Sequence, residues 1–308
     1  MSESEPEFWG RRARSLAEMA TISARNMDPD QLKASIQAYR PRSDDVIISP
    51  AGKCGTTLLQ QTFHTLRTRG DMDFDDISRV VPWIETAGAL NLDINAEQVA
   101  EPRGFKSHLS WDQIPKGAKY IVSLRDPQDA FVAGYRFMEG WYFEPGTISF
   151  EEFFDERKKG LGKGRDHWSH LVSWWGQRDN PNVLLLAYEH MVEEKELAIS
   201  RVAEFCNISL DDELLAVTLE HTSRDFMLAH KDRFDDAMMR ELSERAGGLP
   251  KGSDSAKVRA AGAQPRRDEL PDAIRAGLAE IWRSEVTPHT GFADFAELEA
   301  ELRTLATS

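Results

Sequence analysis

Lys53-Cys54-Gly55-Thr56-Thr57 stands directly after the apolar run Val46-Ile47-Ile48 and the link Ser49-Pro50-Ala51-Gly52. An apolar triplet, a small-residue link, a lysine and paired hydroxyls read as a buried strand, a tight loop and a helix start. That order aims backbone N–H groups, the positive end of a helix and one ammonium at a single point, which suits a phosphate or sulfate. A Walker A loop would end Gly-Lys-Ser/Thr, with another glycine five residues before that Gly-Lys. Here Gly52-Lys53 is followed by Cys54, Ile47 holds the earlier glycine position, and the lysine precedes both Gly55 and the threonines.

Two further segments carry groups suited to the same chemistry. Arg125 closes the apolar run from Tyr120 to Leu124 and precedes Asp126-Pro127. An arginine at a strand's C-terminal end, facing a helix start, can hold a phosphate bidentately. The bland alternative is an Arg–Asp pair inside the turn. His108 lies in Phe105-Lys106-Ser107-His108-Leu109, and an imidazole with pKa near ~6.5 suits a general base at neutral pH. Transfer of a sulfuryl or phosphoryl group asks for positioning, charge stabilisation and removal of one proton. His167-x-x-His170 has near-helical spacing for a metal pair, but no third ligand is evident. It is expected on a solvated helix, without a metal. The acidic stretches 193–196 and 232–236 are expected as exposed helix faces.

The elements that must position these groups follow from hydrophobic patterning. Segments 46–49, 120–124 and 183–187 are short, nearly continuous and rich in Val, Ile and Leu, as strands buried on both faces are. Segment 105–109 reads as a further short strand. A helical pattern follows the first loop, with Leu58, Leu59, Phe63 and Leu66 recurring. Asp126 is placed as a cap and Pro127 as the first helical residue after the second strand. A helix is expected over 188–205, with Met191, Leu197, Ile199 and Val202 inward. Segments 72–102 and 160–182 read as excursions at one end of the sheet. Strand–helix alternation of this kind predicts an α/β fold, a central parallel sheet flanked by helices. No boundary divides the chain. A single domain over 1–308 is expected, with a helical lead-in at 1–44 and a mobile loop at 247–264.

Composition bounds the function. Lys and Arg number 38 against 52 Asp and Glu, a net charge of −14, which argues against nucleic acid or an anionic membrane as the main partner. Any anion site must therefore be locally basic. Only two cysteines are present, too few for a disulfide framework or a zinc cluster. The first residues lack a basic and apolar leader, and no apolar run approaches the ~20 residues that span a bilayer. These features predict a cytoplasmic protein with no membrane insertion.

The Lys53 loop resembles the nucleotide-binding loop of the cytosolic sulfotransferases, Pro-Lys-Ser-Gly-Thr-Thr-Trp. Those enzymes move a sulfuryl group from 3′-phosphoadenosine-5′-phosphosulfate (PAPS) to a hydroxyl or amine. The resemblance implies that Lys53 meets the bridging oxygen of the leaving group and that Thr56 and Thr57 hold the 5′-phosphate. Cys54 takes the place of a serine spacer beside Gly55, and Leu58 that of a tryptophan stacking on adenine. The segment around His108 is similar to the family's Lys-Thr/Ser-His-Leu-Pro. It makes His108 the base, with Lys106 helping to hold the sulfonate. Arg125-Asp-Pro-x-Asp129 looks like the family's Arg-Asn/Asp-Pro-x-Asp motif, whose arginine holds the 3′-phosphate; Ala133 replaces the serine that normally assists.

Further along, Trp174 to Arg178 and Val183 to Glu189 are similar to family segments that place Tyr188 against the adenine or its ribose. His221-Thr222-Ser223 matches a segment whose threonine touches adenine, with Arg224 replacing the stacking phenylalanine. The family's closing signature fits Arg259 to Arg267 most closely, which assigns Arg259 to the 3′-phosphate with Lys257 nearby. The dimer signature that often follows it is absent, and the resemblance leaves a homodimer open. Trp83, Trp141, Tyr142, Phe143 and Trp168 are candidates for an acceptor pocket.

The resemblance spans residues 45–294 and implies the P-loop sulfotransferase architecture, a PAPS donor, no metal, and a small-molecule acceptor with a hydroxyl or amine. Two rivals share parts of the pattern. A small-molecule P-loop kinase should show the Gly-Lys-Ser/Thr order and a magnesium-binding aspartate. A non-catalytic nucleotide-binding module would account for Leu58, Ala133 and Arg224, although Lys53 and His108 are needed only for chemistry.

Overall fold

A computed structural model describes residues 9–162, 164, 166–253, 255, 257–258 and 267–307. Four parallel strands form its sheet: β1 (Val46–Ile48), β2 (Gly104–Lys106), β3 (Lys119–Leu124) and β4 (Val183–Ala187), in the order β2-β1-β3-β4. Ile48 pairs with Lys106 on one side and Ile121 on the other, and Leu124 pairs with Ala187. That register brings the residues following all four strands to one end of the sheet, where open α/β folds bind ligands.

Strand residues alternate between two cores, as period-2 geometry demands. Ile47, Tyr120, Val122, Leu124, Val183 and Leu185 face one core; Val46, Ile48, Ile121, Leu184 and Leu186 face the other. Both faces are covered, which is why these strands read as continuous apolar runs. The second face is covered by Thr56–Thr68, whose Leu59, Phe63 and Leu66 are buried, and by Lys195–Phe205. The first is covered by Pro127–Trp141, Phe150–Lys158 and His167–Trp175. Asp126 caps Pro127–Trp141 by accepting from the Gln128 N–H. The lead-in contains two helices, Leu16–Asn26 and Pro29–Ala38.

Several local expectations change. The stretch after β4 is two helices, Tyr188–Glu193 and Lys195–Phe205, broken at Glu194 (φ −120°, ψ 52°). Leu197 falls on the outer side of the second helix and is 38% exposed, because the break resets the helical phase. The helix His167–Trp175 is not solvated: Trp168, His170, Leu171, Trp174 and Trp175 are buried. Within 232–236, Phe234, Asp235 and Asp236 are buried. In the 247–264 segment, the described residues Ser253 and Ser255 are buried, with Ser255 bonded to Asp235. Among the described residues no helix is long and apolar enough to cross a membrane.

Candidate active site

The loop after β1 is shaped by two residues in left-handed backbone, Lys53 (φ 68°) and Gly55 (φ 95°). Gly55 precedes the helix Thr56–Thr68, whose first N–H groups have no intrahelical acceptor. A Cβ on Gly55 would lie 2.7 Å from the Tyr188 ring and 3.4 Å from Ser123 Oγ. The position thus requires glycine for both conformation and space. A non-glycine residue such as Lys53 held at positive φ marks a loop fixed by its surroundings.

Those surroundings are visible in the hydrogen bonds. The Arg125 guanidinium donates to the Lys53 carbonyl at 2.7 Å and lies 4.2 Å over the Tyr188 ring. Ser123 Oγ donates to the Cys54 carbonyl. From beneath, His170 Nε2–H donates to the Ser49 carbonyl at 3.0 Å, and the His167 ring reaches 3.9 Å from Cys54 Sγ. Burial lowers the pKa of both imidazoles, to about 4 for His167 and about 3 for His170. Both stay neutral against the loop, and both also line the cleft described below. Burial also pushes the Cys54 thiol up to about 12, so Cys54 is an inert spacer rather than a thiolate. Arg125 does not pair with Asp126. That carboxylate meets Arg267 at 3.2 Å, and Asp129 meets the same arginine at 2.7 Å.

Above the loop, His108 is half-buried. Its backbone N–H donates to Glu85 Oε1 at 2.7 Å, and its Nδ1 lies 2.8 Å from the Pro50 carbonyl. A carbonyl can only accept, so Nδ1 carries the proton and Nε2 presents a lone pair. Burial, reinforced by Lys106, lowers the His108 pKa to about 3, below the ~6.5 expected from the sequence; the imidazole is neutral but a weaker base than a solvated one. Lys106 is 3% exposed, with Nζ 4.1 Å over the Trp83 ring and 3.6 Å from Asp236 Oδ1. Burial lowers it to about 8, against the opposing pull of Asp236. Lys257 also contacts Asp236. Lys53 Nζ lies 4.2 Å over the Phe137 ring.

These groups open on one cleft of 1430 Å³. Lys53, Gly55, Thr56, Thr57, Leu58, Arg125, Ala133, Tyr188, Thr222 and Arg224 line it together with Lys106 and His108. Of the aromatic candidates, Trp83, Trp141, Tyr142 and Trp168 line it. Phe143 does not: it is fully buried in the core. Arg259 lies outside the described residues. Sequence reasoning missed Asp236 and Glu85, both cleft-lining and buried. The signal available for Asp236 was an aspartate beside an apolar triplet rather than on a polar face, a weak one. For Glu85 it was a lone carboxylate between Ile84 and Thr86.

A parallel α/β sheet with a lysine-bearing loop at a helix start, a second cation at the neighbouring strand end and a neutral histidine at the strand end on the other side is suited to transfer of an anionic group. The sequence matches the sulfotransferase domain over residues 43–289, and the chain belongs to the sulfotransferase family. It is 28% identical over 208 residues to dog sulfotransferase 1B1 (Canis lupus familiaris), covering 63% of this chain and 69% of that one. With human sulfotransferase 2A1 the identity is 29% over 198 residues, covering 62% and 68%. The fold is shared with retinol dehydratase in a complex with retinol and PAP (TM-score 0.67, 18% identity, 91% of this chain and 97% of that chain). It is shared also with mouse sulfotransferase SULT7A1 complexed with PAP (TM-score 0.65, 18% identity, 92% and 96%).

Proposed function

We propose that the chain transfers a sulfuryl group from PAPS to a hydroxyl or amine of a small-molecule acceptor, in the cytoplasm. The observation that carries this reading is the joint placement of Lys53, His108 and Arg125 at adjoining strand ends, facing one cleft.

The residues present fit such a donor. Thr56 Oγ1 and Arg125 Nε are buried with no hydrogen-bond partner among the described residues, an arrangement that costs free energy unless a ligand satisfies them. Gly55 lets the loop backbone pack directly against the Tyr188 ring, where a Cβ would lie 2.7 Å away. Among the described residues eight cations line the cleft, Lys53, Lys106, Lys257, Arg125 and Arg224 among them, against five carboxylates, in a chain that is acidic overall. Lys53, Thr56, Thr57 and the helix N-terminus would hold the 5′-phosphate, and Arg125 the 3′-phosphate. Tyr188, Thr222, Leu58 and Arg224 would surround the base, with Arg224 stacking as a cation. Arg259, outside the described residues, is kept as a further candidate for the 3′-phosphate.

When bound, the donor supplies the sulfuryl group and a nucleotide leaving group that departs as an anion. His108 Nε2 accepts the acceptor's proton, because its tautomer is set by Pro50 and its ring is neutral. Lys106 holds negative charge on the transferring group, and Lys53 holds the charge that builds on the leaving oxygen. Trp83, Trp141 and Tyr142 exclude water and orient an apolar acceptor.

Replacing His108 with alanine should lower turnover by about 10²–10⁴ and leave affinity for 3′-phosphoadenosine-5′-phosphate (PAP) within about threefold. Near-normal turnover in that variant removes the base assignment.

A further inference from the structure

Two lysines converge on one carboxylate at the reacting end of the cleft. Asp236 is 4% exposed. Its Oδ1 lies 3.6 Å from Lys106 Nζ, its Oδ2 contacts Lys257 Nζ, and Lys53 is close enough to lower its pKa further. The backbone at Asp236 is left-handed (φ 50°, ψ 50°), and its side chain forms no cap on the helix Ala237–Leu242 that it precedes. Aspartates at helix starts elsewhere, Asp126 and Asp166, do cap. The neighbouring Asp235 takes different partners, Ser255 Oγ and Arg240 at 3.4 Å. The anchoring of segment 253–255 is therefore served by Asp235, while Asp236 is turned to the cleft.

We propose that Asp236 is a positioning residue for the transfer reaction, holding the Lys106 and Lys257 ammonium groups side by side next to His108. This rests on the sulfotransferase reading of the cleft. Two neighbouring ammonium groups repel each other, which disfavours the charge on the buried Lys106; a carboxylate between the two offsets that repulsion and leaves a net positive cluster for an incoming sulfonate. Lys106 is faced by Asp236, Lys257, Asp76, Glu85 and His108, and by the Trp83 ring. Among these, Asp236 is the largest influence opposing the burial that lowers Lys106 to about 8. Loss of its charge lowers Lys106 further, so a smaller fraction is protonated at neutral pH.

The test compares Asp236→Asn and Asp236→Glu with the wild type. Turnover of PAPS with 2-naphthol as the probe acceptor is followed against pH, PAP affinity is measured by calorimetry, and Lys106 is titrated by NMR of ¹³C-lysine-labelled protein. The asparagine variant should move the alkaline limb of kcat/KM and the Lys106 midpoint down by about one unit, with PAP affinity held within about threefold. The glutamate variant should restore both. An unmoved Lys106 midpoint in Asp236→Asn overturns the proposal. So does an equal loss of activity, PAP affinity and thermal stability in both variants, which marks a structural role. If the wild type binds no PAP, the sulfotransferase reading fails, and the Lys106 midpoint alone decides the role of Asp236.

Discussion

The Arg125 guanidinium donates 2.7 Å to the carbonyl of Lys53, so the second cation of the cleft is hydrogen-bonded to the backbone of the first. The residue proposed for the 3′-phosphate thereby also fixes the loop proposed for the 5′-phosphate. Arg125→Lys keeps the charge but loses the planar fork and the stack on Tyr188. It should weaken PAP binding by about tenfold or more and lower kcat as well, through loosening of the Lys53 loop. Calorimetry and steady-state rates measure the two. A loss confined to KM would show that the tether to Lys53 carries no weight.

Gly55→Ala carries two penalties. Left-handed backbone costs a residue with a Cβ about 1–2 kcal/mol, and the new methyl would sit 2.7 Å from the Tyr188 ring. Tyr188 must move, and Arg125 stacks on it. The variant should show a lower thermal midpoint and poorer PAP affinity together, whereas Gly52→Ala, with open space around its Cα, should not.

The pH behaviour follows from burial. His108 has its pKa lowered to about 3, and the base form exists above the pKa, so its imidazole stays neutral well below pH 6.5. NMR of the ¹⁵N-labelled ring should show no protonation at Nε2 between pH 7 and 5. Lys106, lowered to about 8, is charged below that value and loses its proton above it. The rate should therefore fall on the alkaline side near pH 8. Lys106→Arg should remove that limb, since guanidinium stays charged there.

At the opposite end of the sheet, Arg103 and Asp45 form a buried pair, each side chain 1% exposed, with Nη2 to Oδ2 at 2.7 Å. Asp45 also accepts from the Tyr39 hydroxyl at 2.7 Å and the Arg42 N–H at 2.8 Å. The carboxylate is fully satisfied and joins the lead-in to the sheet. Arg103→Met strands it, which should cost about 3–5 kcal/mol in denaturant unfolding, while the chemistry at the far end keeps its pH profile.

Much of this was legible in the chain because strands buried on both faces and loops at their ends leave local marks. Val46-Ile47-Ile48 before a lysine, or Leu124-Arg125 before Asp-Pro, states its own geometry. Asp236 was not legible: whether an aspartate in an acidic stretch faces water or two lysines depends on Lys106, more than a hundred positions away, and on Lys257 in a separate segment. The same holds for His167 and His170, whose ring partners are loop atoms after β1. Leu197 was misjudged because the helix break at Glu194 changes the phase of everything after it. Long-range contacts and helix phase are tertiary facts, and periodicity does not contain them.

The most direct measurement is calorimetric titration of PAP into the full chain, with ATP and magnesium as the comparison. Micromolar binding of PAP, lost in Lys53→Ala and Arg125→Ala, and no binding of ATP is the expected result. Binding of ATP alone would contradict the sulfotransferase account and favour a kinase. Binding of neither would mean that Leu58, Ala133 and Arg224 leave the cleft without its donor.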